Sequence, residues 1–157
     1  MESQSRAGTG SSQLALEIVR VFDAPRGLVF KAWTEPEHLA RWWGPRGFDL
    51  PSCRIELRTG GAYLFHMRGP DGLDHWSSGH FREVVEPELL VLVGGWVDAD
   101  GKPKGPESVT RVMLEDLGAK TRLTVCQEIF ESETSRDQHR RGWTSSFERL
   151  AEYLATI

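Results

Sequence analysis

His75 and Ser77 lie two residues apart in the run Asp74-His75-Trp76-Ser77-Ser78-Gly79-His80-Phe81. An extended chain therefore turns both toward one face, together with Gly79 and Phe81, and turns Trp76, Ser78 and His80 toward the other. An imidazole near a hydroxyl is raw material for proton transfer or nucleophilic attack. Sequence neighbours on a strand alternate faces, however, so Ser77 or Ser78 does not form a dependable nucleophile and base pair with the adjoining histidines. No Gly-x-Ser-x-Gly elbow is present either. Zinc would need His, Cys or carboxylate groups converging to about 2.0–2.3 Å of one point. His66 and His80 face away from His75, while His38 and His139 fall on separate helical segments, so no metal site is expected. The Asp98-Ala99-Asp100-Gly101 segment lacks the spaced ligands and closing Glu of a calcium loop and reads as a turn. Gly8 and Gly10 have no preceding strand and following helix, which a phosphate loop requires.

A second set is aromatic. Tyr63 and Phe65, with Met67, alternate with Leu64, His66 and Arg68; Phe81 shares a face with His75 and Ser77; Trp96 lies on the row of Leu90 and Leu92. Trp143 and Phe147 stand four apart in a segment of helical period. Such rows either fill a core or wall a pocket. Among them His75, Ser77 and Gln127 also face inward, and an unpaired buried polar group costs roughly 1–3 kcal/mol. Their partners are either internal hydrogen bonds and buried water or the polar end of a ligand. Gln127 is the preferred polar anchor.

The elements that must carry these residues follow from period and punctuation. Leu14 to Phe22 suggests a half-buried strand. Asp23 offers a helix cap and Pro25 fits a first turn ahead of Leu28, Val29, Ala32 and Trp33. A second short helix starts at Pro36, puts Leu39 and Trp43 on one side, and stops at Gly44-Pro45. Six further strands follow, around Cys53–Leu57, Tyr63–Arg68, His75–Arg82, Leu90–Trp96, Thr110–Leu114 and Thr121–Gln127, joined by hairpin-length turns that imply antiparallel pairing. From Arg136 to Ala155 the period becomes helical, with Trp143, Phe147, Leu150 and Leu154 on one stripe. Only that helix is long enough to cover a one-sided sheet, so the sheet must curl around it and leave a cleft.

Bulk properties narrow the class. A chain of 157 residues, 39% hydrophobic and 27% charged, suits one globular domain over 13–157, after a polar tail over 1–12 expected to be disordered. With a net charge of −4 and dispersed Arg and Lys, nucleic acid is not expected as a partner. No run approaches the roughly 20 apolar residues of a membrane span. Cys53 and Cys126 make no disulfide framework, and no apolar signal segment follows Met1, so cytoplasmic residence is the expectation.

The strings Ala24-Pro25-Arg26, Phe30-Lys31-Ala32-Trp33-Thr34, Pro36-Glu37-His38-Leu39 and Arg41-Trp42-Trp43-Gly44 resemble the opening of the family named after the activator of the 90-kDa heat-shock-protein ATPase. The likeness continues through Glu56 to Gly61, Met67 to Gly72, Phe81 to Val84, Thr121 to Thr124 and Gly142 to Leu154, in the family's order. The resemblance implies the START-like, pollen-allergen-like helix-grip superfamily: an α+β fold with a curved seven-stranded antiparallel sheet around a long C-terminal helix, and two short helices after the first strand. That fold does not place the strands of Cys53 and Cys126 side by side, so both are expected as inner-row core residues rather than a redox pair. The family's named member is a co-chaperone with an extra domain for which this chain has no room. Stand-alone members resemble binders of hydrophobic small molecules, and distant superfamily relatives include polyketide cyclases and lipid carriers.

The leading expectation is therefore a binder or carrier, rather than an enzyme, of a small apolar or aromatic molecule. Tyr63, Phe65, Met67, His75, Ser77, Phe81, Trp96, Gln127, Trp143 and Phe147 are its candidate ligand contacts, with no metal, no cofactor and no catalytic residue assigned. One alternative is a cyclase- or hydratase-like enzyme using His75, Tyr63 and Gln127. Another is a co-chaperone-like interaction module presenting Trp42 and Arg46, although packing of the tryptophans against the sheet edge is the plainer account. A homodimer stays open.

Overall fold

The computed structural model describes residues 15–128 and 132–157; the expected tail over 1–12, and Leu14 of the expected first strand, lie outside them. Strand β1 covers Leu16–Phe22, followed by helix α1 (Arg26–Thr34) and the short helix α2 (Pro36–Leu39). Strands β2 (Asp49–Ile55), β3 (Ala62–Arg68), β4 (Asp74–Val85), β5 (Leu89–Val97), β6 (Ser108–Asp116) and β7 (Thr121–Glu128) come next, and helix α3 (Glu133–Leu154) closes the chain. All strands pair antiparallel in one sheet of order β1-β7-β6-β5-β4-β3-β2. The meander β2 to β7 needs only hairpins, and β1 returns to pair with β7, so the two short helices span the crossover between opposite sheet edges.

Boundaries moved where side chains rather than period decide them. Helix α3 starts at Glu133 instead of Arg136 because Ser132 Oγ accepts from the Ser135 N–H at 3.1 Å and caps it. Asp23 does not cap α1; Pro25 itself holds the N-cap position, and no side chain takes the free amides. Beyond α2 the helical turn persists to Trp43, whose N–H reaches the Leu39 carbonyl at 2.9 Å, and Gly44 at φ 93° then reverses the chain. Strand β2 runs from Asp49 to Ile55, starting and ending earlier than the alternation alone placed it.

The core lies between the inner face of the sheet and the helices. Phe147, Leu150 and Leu154 on α3 are buried together with Phe22, Leu123 and Val125, and the Phe22 and Phe147 rings meet edge to face at 5.8 Å. Each such fully buried side chain stabilises the fold by about 1.5–3 kcal/mol relative to exposure. Thr121 Oγ1 donates to the Ala24 carbonyl at 2.7 Å and ties the entry of α1 to β7. No helix among the described residues is long and apolar enough to cross a membrane.

Cys53 sits half-buried on the inner side of β2 as expected, but Cys126 does not share the inner row. Gln127 takes that face, and adjacent strand residues alternate, so Cys126 turns outward between Glu17 and Arg111 and its thiol approaches Glu17 Oε2 at 3.5 Å.

Candidate functional site

Cross-strand register lines the inner residues into rows. Ile55, Tyr63, Gly79, Gly94 and Ser108 stand opposite one another in succession, as do Cys53, Phe65, Ser77 and Trp96. A further row joins Leu92, Thr110 and Gln127. Two glycines fall directly opposite each other in the first row. A Cβ on Gly79 would lie 2.8 Å from Tyr63 Oη, and one on Gly94 would lie 2.5 Å from the same atom. The paired glycines thus leave the space that the phenol ring occupies.

Between these rows and α3 lies a cavity of about 450 Å³, within the range of roughly 300–1,000 Å³ usual for small-molecule sites. Its walls come from Tyr63, Phe65 and Met67 of β3, His75 and Ser77 of β4, Trp96 of β5, and Gln127 of β7. Trp143 closes it from α3. Eight of the ten expected contact residues therefore line one space. Phe81 and Phe147 do not: at 2% and 1% exposure they are core, Phe81 set behind Tyr63 at 5.7 Å and Phe147 behind Trp143 at 5.6 Å. The period of a strand or helix tells which face a ring is on, not how deep it lies.

Further wall residues come from the helices and the loop after them. Trp33 of α1 stacks on Trp143 at 5.8 Å and 26°, and Trp43 stacks on Phe65 at 4.5 Å and 25°. Phe48 approaches the His75 ring at 6.0 Å. Thr110 and Ser108 of β6 complete the floor. Thr110 had the right parity in sequence, whereas Trp33 and Trp43 read as ordinary core faces. Nothing in their spacing indicates that the cavity is on their side.

Trp42 is core. Its indole is 0% exposed and donates to the Ala32 carbonyl at 2.9 Å, so it presents no binding surface. Arg46 is on the surface but pairs with Glu152 and approaches Glu148 at 4.0 Å.

The polar groups of the cavity divide into engaged and unengaged. Trp143 Nε1 donates to Gln127 Oε1 at 2.9 Å, and Gln127 Nε2 donates to Thr110 Oγ1 at 3.0 Å. Gln127, expected as the ligand's anchor, thus has internal partners. By contrast the Trp33 indole N–H is buried with no hydrogen-bond partner among the described residues, in a residue only 4% exposed. The Tyr63 hydroxyl has none among the described residues, and burial, with a smaller contribution from the Glu107 carboxylate, holds its pKa well above that of a free phenol. Among the described residues no Asp or Glu lines the cavity, and the one ammonium, Lys104, is exposed at the rim beside Gly105 and Pro106. Trp96, 39% exposed, and Gln138 of α3 mark the same opening. Among the described residues no three His, Cys, Asp or Glu side chains gather as a metal site.

A seven-stranded antiparallel sheet wrapped on a terminal helix, with an aromatic cavity between them, defines a START-like helix-grip domain. Residues 23–155 match the family model described as activator of Hsp90 ATPase homolog 1-like protein, and the chain belongs to that family. Solved structures agree. The AHSA1 protein from Silicibacter pomeroyi is 27% identical with TM-score 0.81, over 90% of this chain and 98% of that one. A protein from Arthrobacter aurescens is 28% identical with TM-score 0.80 over 93% and 88%, and one from Nitrosomonas europaea is 27% identical with TM-score 0.77 over 92% and 96%. No curated protein matches the sequence.

Proposed function

We propose that this protein binds a small apolar or aromatic molecule in the cavity between the sheet and α3. The observation that carries the reading is the combination of about 450 Å³ of space with walls of Trp33, Trp43, Phe65, Trp96 and Trp143. Burying apolar area stabilises a complex by roughly 25 cal/mol per Å², and the costs of association are set against that gain. Proton chemistry is less well supported. Among the described residues no carboxylate lines the cavity, and burial raises the Tyr63 pKa, which keeps the phenol a donor and not a base.

Titration with an environment-sensitive naphthalene fluorophore tests the reading. The wild type should bind it, and Ser77→Trp, which fills the cavity opposite Trp96, should weaken binding at least tenfold with the circular dichroism spectrum retained. If the folded wild type binds no member of a broad apolar and aromatic library, the proposal fails.

A further inference from the structure

The hydrogen-bonding groups at the buried end of the cavity are not neutral as to what they can receive. An indole N–H donates and never accepts. Trp143 Nε1 therefore fixes the amide of Gln127 with its oxygen toward the indole, which turns the Gln127 NH2 toward Thr110 Oγ1 at 3.0 Å. Thr110 Oγ1 accepts there, so its own proton is left to donate, and among the described residues it has no acceptor. The second group is the Trp33 N–H, also a pure donor, buried and without a partner among the described residues. Trp33 stacks on Trp143, so Trp33, Trp143, Gln127 and Thr110 form one continuous series along the cavity wall. Trp33 and Thr110 are only 4% and 8% exposed, whereas Trp96 and Lys104 at the rim are open to solvent.

Both unengaged donors at this end ask for an acceptor atom. A carboxylate would answer, but burying an anion requires charge or several strong donors around it. Here no guanidinium lines the cavity among the described residues, and the one ammonium is exposed at the rim. We propose, building on the binding reading above, that the buried end of the cavity receives a neutral carbonyl oxygen of an aromatic guest. The Trp33 N–H and the Thr110 hydroxyl donate to it. The ligand class is then an aryl ketone, quinone, ester or amide that enters with its carbonyl foremost, rather than a hydrocarbon, an amine or a free acid.

Three probes of nearly one shape separate these cases in the full chain: 2-acetylnaphthalene, 2-isopropenylnaphthalene and 2-naphthoate. The ketone should bind roughly tenfold more tightly than the hydrocarbon, as expected for two modest hydrogen bonds, and more tightly than the acid. Trp33→Phe and Thr110→Val should each bring the ketone-to-hydrocarbon ratio toward one, and Thr110→Ser should keep the ratio. The carbonyl stretch of isotopically labelled ketone should move to lower frequency on binding to wild type and move less in either variant. That readout survives if one variant folds poorly. Equal affinity for ketone and hydrocarbon, tighter binding of the acid, or a ratio unchanged in both variants would overturn the carbonyl subsite but leave the binding reading standing. Failure of all three probes with folded protein would overturn the subsite, and failure across the broad library would remove the binding reading as well.

Discussion

Arg149 Nη1 donates to the Gly44 carbonyl at 2.9 Å, and the same nitrogen lies 3.2–3.3 Å from the carbonyls of Trp43, Pro45 and Phe48. One guanidinium from α3 thus gathers the chain reversal after α2, the segment that delivers Trp43, Gly44, Pro45 and Phe48 to the cavity wall. Burial lowers the pKa of Arg149, yet a guanidinium has so much range that it stays charged at any pH the fold survives. The segment has no regular secondary structure of its own to hold it. Its placement depends on the carbonyls finding a donor, and a helix residue supplies it.

Arg149→Met keeps much of the stem and removes the donors. Hydrogen bonds from a charged group contribute about 1.5–3 kcal/mol, and we expect a loss in that range by urea unfolding. Affinity for an aromatic probe should fall as well, since Trp43 and Phe48 lose their fixed position. A variant with wild-type stability and affinity would show that the carbonyl cluster is incidental.

Gly94→Ala tests the close approach that seats Tyr63. The new Cβ would run into the Ser78 carbonyl and stand 2.5 Å from Tyr63 Oη, and the backbone of two paired strands has little room to yield. Overpacking of this kind costs about 1–3 kcal/mol. For a chain of this size we expect the melting temperature to drop by roughly 3–10 °C, read by calorimetry. A drop under about 1 °C would mean that the strands part without penalty.

Much of this architecture was legible in the sequence because strand alternation is a strict period of two. Tyr63, Phe65, Ser77 and Gln127 could be placed on the inner face with no knowledge of the sheet order. Depth was not legible. Phe81 and Tyr63 share a face, yet Phe81 pairs with Leu92 just before the register shift toward Glu83 and lies behind the phenol instead of beside the cavity. The helical side of the wall was hidden for a different reason. Trp33, Trp42 and Trp43 sit within eleven residues, on the short helix α1 and in the turn after α2, where a 3.6 period has too few turns to define a face. Gln127 faced inward as expected, but the bond from Trp143 joins two residues sixteen apart across elements of unlike period, a pairing that only coordinates reveal.

The burial of Trp42 carries its own test. With its indole enclosed and bonded to the Ala32 carbonyl, Trp42→Ala removes core, not surface. Large aromatic truncations in cores cost about 3–5 kcal/mol. We expect a chemical denaturation midpoint shifted accordingly. A near-neutral change would restore Trp42 as a candidate contact for another protein.

Tyr63 gives a pH dependence whose sign can be worked out. Burial first, and the Glu107 carboxylate second, raise its pKa in the native state, whereas in the unfolded chain a tyrosine releases its proton near pH 10. Below about pH 10 both states hold the proton and the group contributes no slope. Above it the unfolded state holds fewer protons than the native state, so stability falls as pH rises, by up to about 1.4 kcal/mol per pH unit from this group. The decline continues until pH reaches the raised native value. Tyr63→Phe deletes that contribution. The Cys53 and Cys126 thiols, also pushed up by burial, are present in both proteins and cancel in the difference. Since the hydroxyl has no partner among the described residues, the variant should stay within about 1 kcal/mol of wild type at pH 7. By about pH 10 to 11 the difference between the two should have moved by roughly 1 kcal/mol in the variant's favour relative to pH 7. Urea unfolding across that interval makes the comparison. Parallel decline of the two proteins would mean that the native phenol ionises as freely as the unfolded one, which its enclosure between the paired glycines and Phe65 argues against.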